Sequence, residues 1–303
     1  MKAVKTGRNI RLFCLGLLGF TGCTSSGHKA LDTLSSGTIQ ISVDNSYQPL
    51  MDSEIRVFET LHPDAHIIAH YKPEADCFND LVNDSARLII VTRGLDTAEE
   101  KYFRAIKEPI ITKILAWDAV ALIVSPDNPD TDMTMDQVRS VMDGSSGQPG
   151  LKLVFDRRNS SLVRYAIDSI NRGKPLPPGV ITAGNCSNVV NYVAGHKNAL
   201  GVIGVSWISD PYDSTGLSFL SKTRVVGIKA SAKVEYFKPY QAYIALRSYP
   251  LTRAFYFVLR EPYMGLGTGF ANFLGSDKGQ LIIGDFRLFP AKLNIVWKNA
   301  TLQ

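Results

Sequence analysis

Apolar positions early in the chain alternate with polar ones. Thr38–Asp44 puts Ile39, Ile41 and Val43 on one face, which predicts a strand. Asn45–Pro49 is a turn with Pro49 at a first helical position, and Met51, Ile55 and Phe58 then share a helical face. Ala65–Tyr71 reads as a second strand, and Lys72–Cys77 as a loop carrying Glu74 and Asp76. Phe78–Asn83 reads as a short helix and Arg87–Val91 as a third strand, running into Thr92 and Arg93. Thr97–Phe103 predicts a helix with Thr97 as cap and Glu100 as its capping-box partner. Ile110–Val124 is mostly β-branched and aliphatic, the composition of strands buried on both faces.

Ser125–Asp132, rich in Pro and Asp, interrupts the pattern before a short helix over Thr134–Met142 and a loop at Gly144–Gly150. Leu153–Phe155 is a strand, Asp156–Ser161 a polar turn, and Val163, Ala166, Ile167 and Ile170 one face of a helix. Lys174–Gly179 is a Pro-rich turn before Val180–Thr182. Gly184–Asn188 opens a helix carrying Val189, Val190 and Val193. Strands are expected at Gly201–Val205, Arg224–Lys229, Tyr243–Leu246 and Ala254–Leu259, and helices at Thr268–Leu274 and Lys278–Ile283. Strands alternating with helices make the class α/β. Polar turns between a strand's end and a helix's start mark the edge where open α/β sheets bind ligands. The Ser125–Asp132 break suggests a crossover into a second lobe, with a cleft between lobes.

The first 22 residues stand outside this pattern. Lys2, Lys5, Arg8 and Arg11 precede an apolar run, Leu12–Phe20, too short to span a bilayer. Phe20-Thr21-Gly22-Cys23 resembles the lipobox of bacterial lipoproteins, with Phe20 in place of the usual aliphatic residue, so Cys23 is the expected lipid anchor. Residues 23–37 follow as a flexible tether. Removing residues 1–22 changes the charge: 33 basic against 28 acidic residues becomes 29 against 28, or +1. The high pI is then no argument for nucleic acid, and an anion site must come from local arrangement. Cys77 and Cys186 remain in an oxidising setting, and pairing between them stays open. His62, His66 and His70 fall on a strand with a spacing that spreads them too far for one metal, and no metal or cofactor is expected. No nucleophile–base pair at useful spacing points to an enzyme.

Asp156–Ser161 has a chemistry of its own. A helix N-terminus offers free N–H groups and a favourable dipole to an anion. Asn159, Ser160 and Ser161 add hydroxyl and amide donors, and Arg157 and Arg158 add charge. The same residues also suit a plain capped turn.

Several stretches together resemble the PstS-like phosphate-binding proteins of ABC-type phosphate uptake, within the type II periplasmic binding proteins. Val120–Pro129 resembles that family's hinge strand and Asn-Pro turn, and Thr134–Val141 the helix after it. Arg157–Ser161 stands at its Ser-Gly-Thr phosphate loop, and Gly184–Val193 with Leu200–Val205 at its glycine/serine turn, helix and Ile-Gly strand. Tyr249–Arg253 with Tyr256 resembles its Tyr-Pro-Leu segment, and Phe270–Ile283 with Leu288–Ala291 its ending. The resemblance implies a two-lobed fold, lobe I being residues 38–122 plus 251–303 and lobe II residues 123–250, each a mixed sheet flanked by helices. It implies a monomer that holds inorganic phosphate between lobes without covalent chemistry and delivers it to an ABC-type permease. A carboxylate that accepts a hydrogen bond from protonated phosphate would reject sulfate, which carries no proton.

Residue by residue, Ser46 and Tyr47 fall on the family's first contact pair, Thr92 on the hydroxyl after strand three, and Ser160 and Ser161 on the Ser-Gly of the loop. Leu162 replaces a Thr, and the hydroxyl expected around Glu74–Cys77 is missing. Arg93 stands where the family has a carboxylate, and Asp156 where it has an arginine. The two changes look reciprocal. They suggest a swapped pair, with Arg93 as cation and Asp156, Glu74 or Asp76 as proton acceptor, and Arg158 and Asn159 beside them. The competing expectation is that Arg93 pairs with an acid across the cleft and phosphate specificity is lost. Two further functions stay open: a binding protein for sulfate, molybdate or an organic phosphate, or a non-transport envelope sensor or accessory lipoprotein.

Overall fold

The computed structural model describes residues 31–146, 151–209, 221–230 and 234–292. The signal segment and Cys23 lie outside them. β1 (Gly37–Asp44) passes through a 3-10 turn, Asn45–Tyr47, into α1 (Gln48–Leu61), which has Pro49 in its first turn as the sequence predicts. β2 (Ala65–Lys72), α2 (Glu74–Val82), β3 (Leu88–Val91), α3 (Thr97–Ala105) and the 15-residue β4 (Ile110–Val124) follow. Next come β5 (Asp132–Thr134), α4 (Met135–Met142), β6 (Lys152–Phe155) and α5 (Ser161–Tyr165), which runs into a π-helical turn, Ala166–Ile170. β7 (Ile181–Thr182), α6 (Cys186–Gly195), β8 (Ala199–Gly204) and α7 (Ser206–Ser209) lead to β9 (Arg224–Val225) and β10 (Gly227–Lys229). α8 (Gln241–Ala245), β11 (Thr252–Arg260), α9 (Leu266–Leu274), α10 (Asp277–Asp285) and β12 (Phe289–Pro290) complete the described elements.

The main sheet runs β2-β1-β3-β11-β4-β8-β6-β7, with β9 and β12 also pairing with β4. β1, β2 and β3 are parallel, as are β6, β7 and β8. β11 and β4 run antiparallel between these two groups. The apolar core follows the same division. One cluster gathers Ala119–Val124, Phe155, Val189, Val190 and Leu200–Ile203. Two others gather Ile41, Tyr47, Phe58 and Phe270, and Cys77, Leu81, Ile89 and Phe103. The long strand β4 therefore passes from one core into another.

Four expectations are corrected. Glu74 is not in a loop but opens α2, with Glu74 and Asp76 in the first turn after Pro73. α3 is capped one residue earlier than expected: Asp96 accepts from the Glu99 N–H at 2.8 Å, and Glu99 accepts from the Asp96 N–H at 2.8 Å. The sequence holds both boxes in adjacent registers, and Glu99 prevails because it also pairs with Arg93. Tyr243–Leu246 is helical, held by Gln241, whose Nε2 donates to the carbonyl of Leu288 at 2.6 Å. β4 is one strand, and its first part is not buried on both faces: Ile111–Ile114 is exposed, because there the strand pairs with β11 alone. Cys77 and Cys186 are both buried and free, one in each of two separate clusters. Among the described residues no helix is long and apolar enough to cross a membrane, and no three metal-ligating side chains gather.

Candidate functional site

The turn after β1 and the start of α5 meet. Asp44 accepts the Ser46 N–H at 2.8 Å, which tightens the 3-10 turn and buries Ser46 and Tyr47. The Ser46 hydroxyl lies 3.3 Å from the Ser161 hydroxyl, although the two residues are 115 positions apart. Ser160 caps α5 by accepting the Val163 N–H at 3.3 Å, and this leaves Ser161 facing inward. On the other side of the contact, Ser206 donates to the Ser46 carbonyl at 2.5 Å and Trp207 to the Asn45 carbonyl at 3.3 Å.

Arg253 closes this cluster from below. It sits directly across from Asp118 in the β11–β4 ladder. Its Nε donates to Asp118 Oδ2 at 2.9 Å, and its Nη1 to the Ser161 hydroxyl at 3.1 Å. The Tyr47 hydroxyl also donates to Asp118 Oδ2, at 3.1 Å, while its ring stacks on Phe255 at 4.6 Å. Three polar atoms here are buried without a partner: Nη2 of Arg253, Oδ1 of Asp118 and Oδ2 of Asp44. Buried polar atoms are normally satisfied, so these atoms have hydrogen-bonding capacity that the protein itself does not fill. Gly204 borders the cluster: a Cβ there would stand 3.4 Å from Ser46 Cβ and 3.6 Å from Arg253 Nη2, ordinary contact distances.

Charge tunes these groups. Burial, reinforced by the Glu74 charge, pushes Asp44 up to about 6, against the pull of Arg253 and Ser46. Burial likewise raises Asp156, with the neighbouring Ser160 hydroxyl opposing it. Burial disfavours the Arg253 charge, but Tyr47, Asp118 and Asp44 outweigh it and hold the guanidinium protonated.

A second cluster lies nearer the surface. Glu74, buried at the start of α2, takes the Thr92 N–H and the Thr92 hydroxyl on Oε1, both at 2.6 Å. Its Oε2 accepts from Arg164 Nε at 2.6 Å, and Arg164 Nη2 donates to the Thr92 hydroxyl at 2.7 Å. Burial opposes ionisation of Glu74, but Arg164 and Thr92 prevail and lower its pKa. A depression of about 320 Å³ opens beside it, with Glu74, Arg93, Arg158, Asn159, Ser160 and Arg164 among its lining. Arg93 makes two hydrogen bonds to Glu99, at 2.7 and 2.8 Å, and lies over the Phe78 ring at 3.6 Å.

A family model described as a PBP superfamily domain matches residues 29–278. The chain belongs to the PBP superfamily. No curated protein matches it in sequence. Among solved structures it is similar to a protein described as a phosphate ABC transporter substrate-binding protein with bound phosphate, from Clostridium perfringens. That likeness has 20% identity and a TM-score of 0.69, over 84% of this chain and 100% of the other. An ABC-type phosphate transport receptor from Vibrio cholerae gives 18% identity and 0.63, over 84% and 100%. The substrate-binding domain described for a molybdenum ABC transporter from Clostridium difficile gives 14% and 0.50, over 84% and 99%. At these identities the likenesses speak for the fold, which is the type II PBP-like fold of the PstS-like proteins.

Within this PBP fold the expected residues divide into two groups. Ser46, Tyr47 and Ser161 meet in the buried cluster, and Asp156 is buried within reach of the Arg253 charge. Glu74, Thr92, Arg93, Arg158, Asn159 and Ser160 lie around the outer depression or in contact with it. Asp76 is half-buried in the first turn of α2, outside both groups. Arg93 meets an acid of its own side, Glu99, rather than one across the cleft. Sequence reasoning missed Arg253, Asp118, Asp44 and Arg164. Arg164 carried one signal: it stands four residues after Ser160, one helical turn along the same face. Arg253 closes the Tyr249–Arg253 segment that carries part of the resemblance, but its pairing with Asp118 was not legible, because it depends on strand register 135 positions apart.

Proposed function

We propose that the chain is an exported solute-binding protein that takes inorganic phosphate between two lobes, residues 38–122 plus 251–303 and residues 123–250, and passes it to an ABC-type permease. It acts as a monomer anchored by lipid on Cys23, and it holds its ligand by hydrogen bonds alone, without catalysis. One observation carries this reading. The Ser46 hydroxyl, the Ser161 hydroxyl and the Arg253 guanidinium converge from three separate elements, with an unpartnered Nη2 among them. Hydroxyl and guanidinium donors suit a tetrahedral oxyanion. The unpartnered oxygens of Asp44 and Asp118 are acceptors for the proton of a protonated phosphate, which sulfate cannot supply.

A second reading, a PBP-fold sensor or accessory of the envelope, is favoured by one feature: a carboxylate of the chain already takes the donors of Thr92. Calorimetry separates the two. Phosphate and then sulfate are titrated into the chain from Thr24 onward, at neutral pH and at about pH 5, below the value near 6 of Asp44. Phosphate heat without sulfate heat supports the phosphate reading. Equal heats mean a general oxyanion binder, and no heat with either anion moves the accessory reading forward.

A further inference from the structure

Glu74 makes contacts that a bound anion would make. Two of its donors come from one residue, the N–H and the hydroxyl of Thr92, and the third is the guanidinium of Arg164 on α5. Arg164 stands 72 positions from Thr92 and yet donates to its hydroxyl as well. Both oxygens of Glu74 and the N–H and hydroxyl of Thr92 are thus engaged within this group. Where the sequence resemblance calls for a neutral hydroxyl near position 74, a carboxylate has entered and brought its own negative charge.

We propose that the Glu74 carboxylate is an internal ligand: it fills the Thr92 side of the cleft in place of an anion and ties α2 to α5 when nothing else is bound. The inference rests on the reading above for the place of the anion. Glu74 then sets specificity, because a free oxyanion approaching Arg164 meets a buried negative charge and finds the Thr92 donors taken. The remaining ligand space is the Ser46–Ser161–Arg253 cluster. The charged groups around Glu74 agree with this role. Arg164 faces it from α5 and is shared at 3.6 Å with Asp168. Asp44 of β1 and Arg93 feel its charge, but Arg93 is committed to Glu99.

The test compares the wild-type chain with Glu74→Ala and Glu74→Gln. Small-angle scattering reads the radius of gyration, and calorimetry reads binding of sodium formate and of inorganic phosphate. The wild-type radius is expected to be the same with and without either anion. Glu74→Ala is expected to be larger when free, to contract in formate or phosphate, and to bind one of them about tenfold or more tightly than the wild type does. Glu74→Gln keeps the shape and loses the charge. It is expected to show the same direction of change, and it carries the test if Glu74→Ala melts early. Contraction of the wild-type chain on phosphate overturns the proposal. So do variants with the wild-type radius and no gain in anion affinity. Formate-driven contraction of Glu74→Ala without phosphate binding to any form supports the internal ligand while removing the phosphate reading. Tight phosphate binding with contraction in the wild type does the reverse.

Discussion

Asp118 and Arg253 form a pair with side chains 0% and 3% exposed, whereas Lys292 and Asp277 form one with both at 60%. The distances are alike, 2.9 and 2.8 Å, so the environment decides what each contributes. Removing one partner of a buried pair leaves an uncompensated charge and costs about 3–5 kcal/mol, while an exposed pair contributes about 0–1 kcal/mol. Asp118→Ala is therefore expected to lower the urea midpoint sharply and Lys292→Ala hardly at all. Equal shifts would mean that the buried pair is no more than a surface contact. Sequence reading singled out Arg93 as the cation because it stands where the resembled family has a carboxylate, with Asp156 where that family has an arginine. In the structure Arg93 pairs with Glu99, and the buried guanidinium is that of Arg253, whose partners come from β4 and α5.

At the scale of elements, local pattern was a good guide where a stretch was both periodic and bounded. β1, β2, β3, β6 and α6 stand close to where alternation and capping place them. Short segments such as Tyr243–Leu246 were not decidable, since four residues cannot separate a period of 2 from one of 3.6. The start of α2 was legible in principle: Pro73 followed by two acids in the first turn is a helix-start signal. Packing between elements can be tested at Gly201 in β8. A Cβ there would come within 2.7 Å of Val193, 2.8 Å of Ile123 and 3.0 Å of Val189, so α6 lies directly on the strand. Gly201→Val is expected to cost about 1–3 kcal/mol through overpacking, read as a lower melting temperature with an unchanged helical signal. An unchanged melting temperature would mean that α6 can retreat freely.

For the whole molecule, pH acts through buried acids, Asp44 on β1 and Glu74 on α2. Asp44 titrates near 6 in the folded chain, above its ordinary 3.8, so its ionisation disfavours folding. Its contribution is fully present below about pH 4 and is lost as pH rises through about 6. Glu74, whose pKa is lowered, acts in the opposite sense and loses its contribution as pH falls. Asp44→Asn keeps an acceptor for the Ser46 N–H and removes the charge. Its stability relative to wild type is expected to rise between pH 4 and 7, by on the order of 2 kcal/mol, in denaturant titrations at each pH. A difference independent of pH would show that folding leaves Asp44 at its ordinary value.

Period and composition were enough to establish the α/β class, most strands, and the turns after β1 and β6 as the places where polar side chains gather. Those features are local: they follow from which face of a strand or helix must leave water. The identity of the buried cation, the partner of Glu74 and the state of the two cysteines were decided only in three dimensions. Each depends on groups far apart in sequence, 135 residues for Asp118 with Arg253 and 90 for Glu74 with Arg164. Desolvation then turns such a meeting into a strong interaction, and desolvation belongs to the packed molecule rather than to any stretch of the chain.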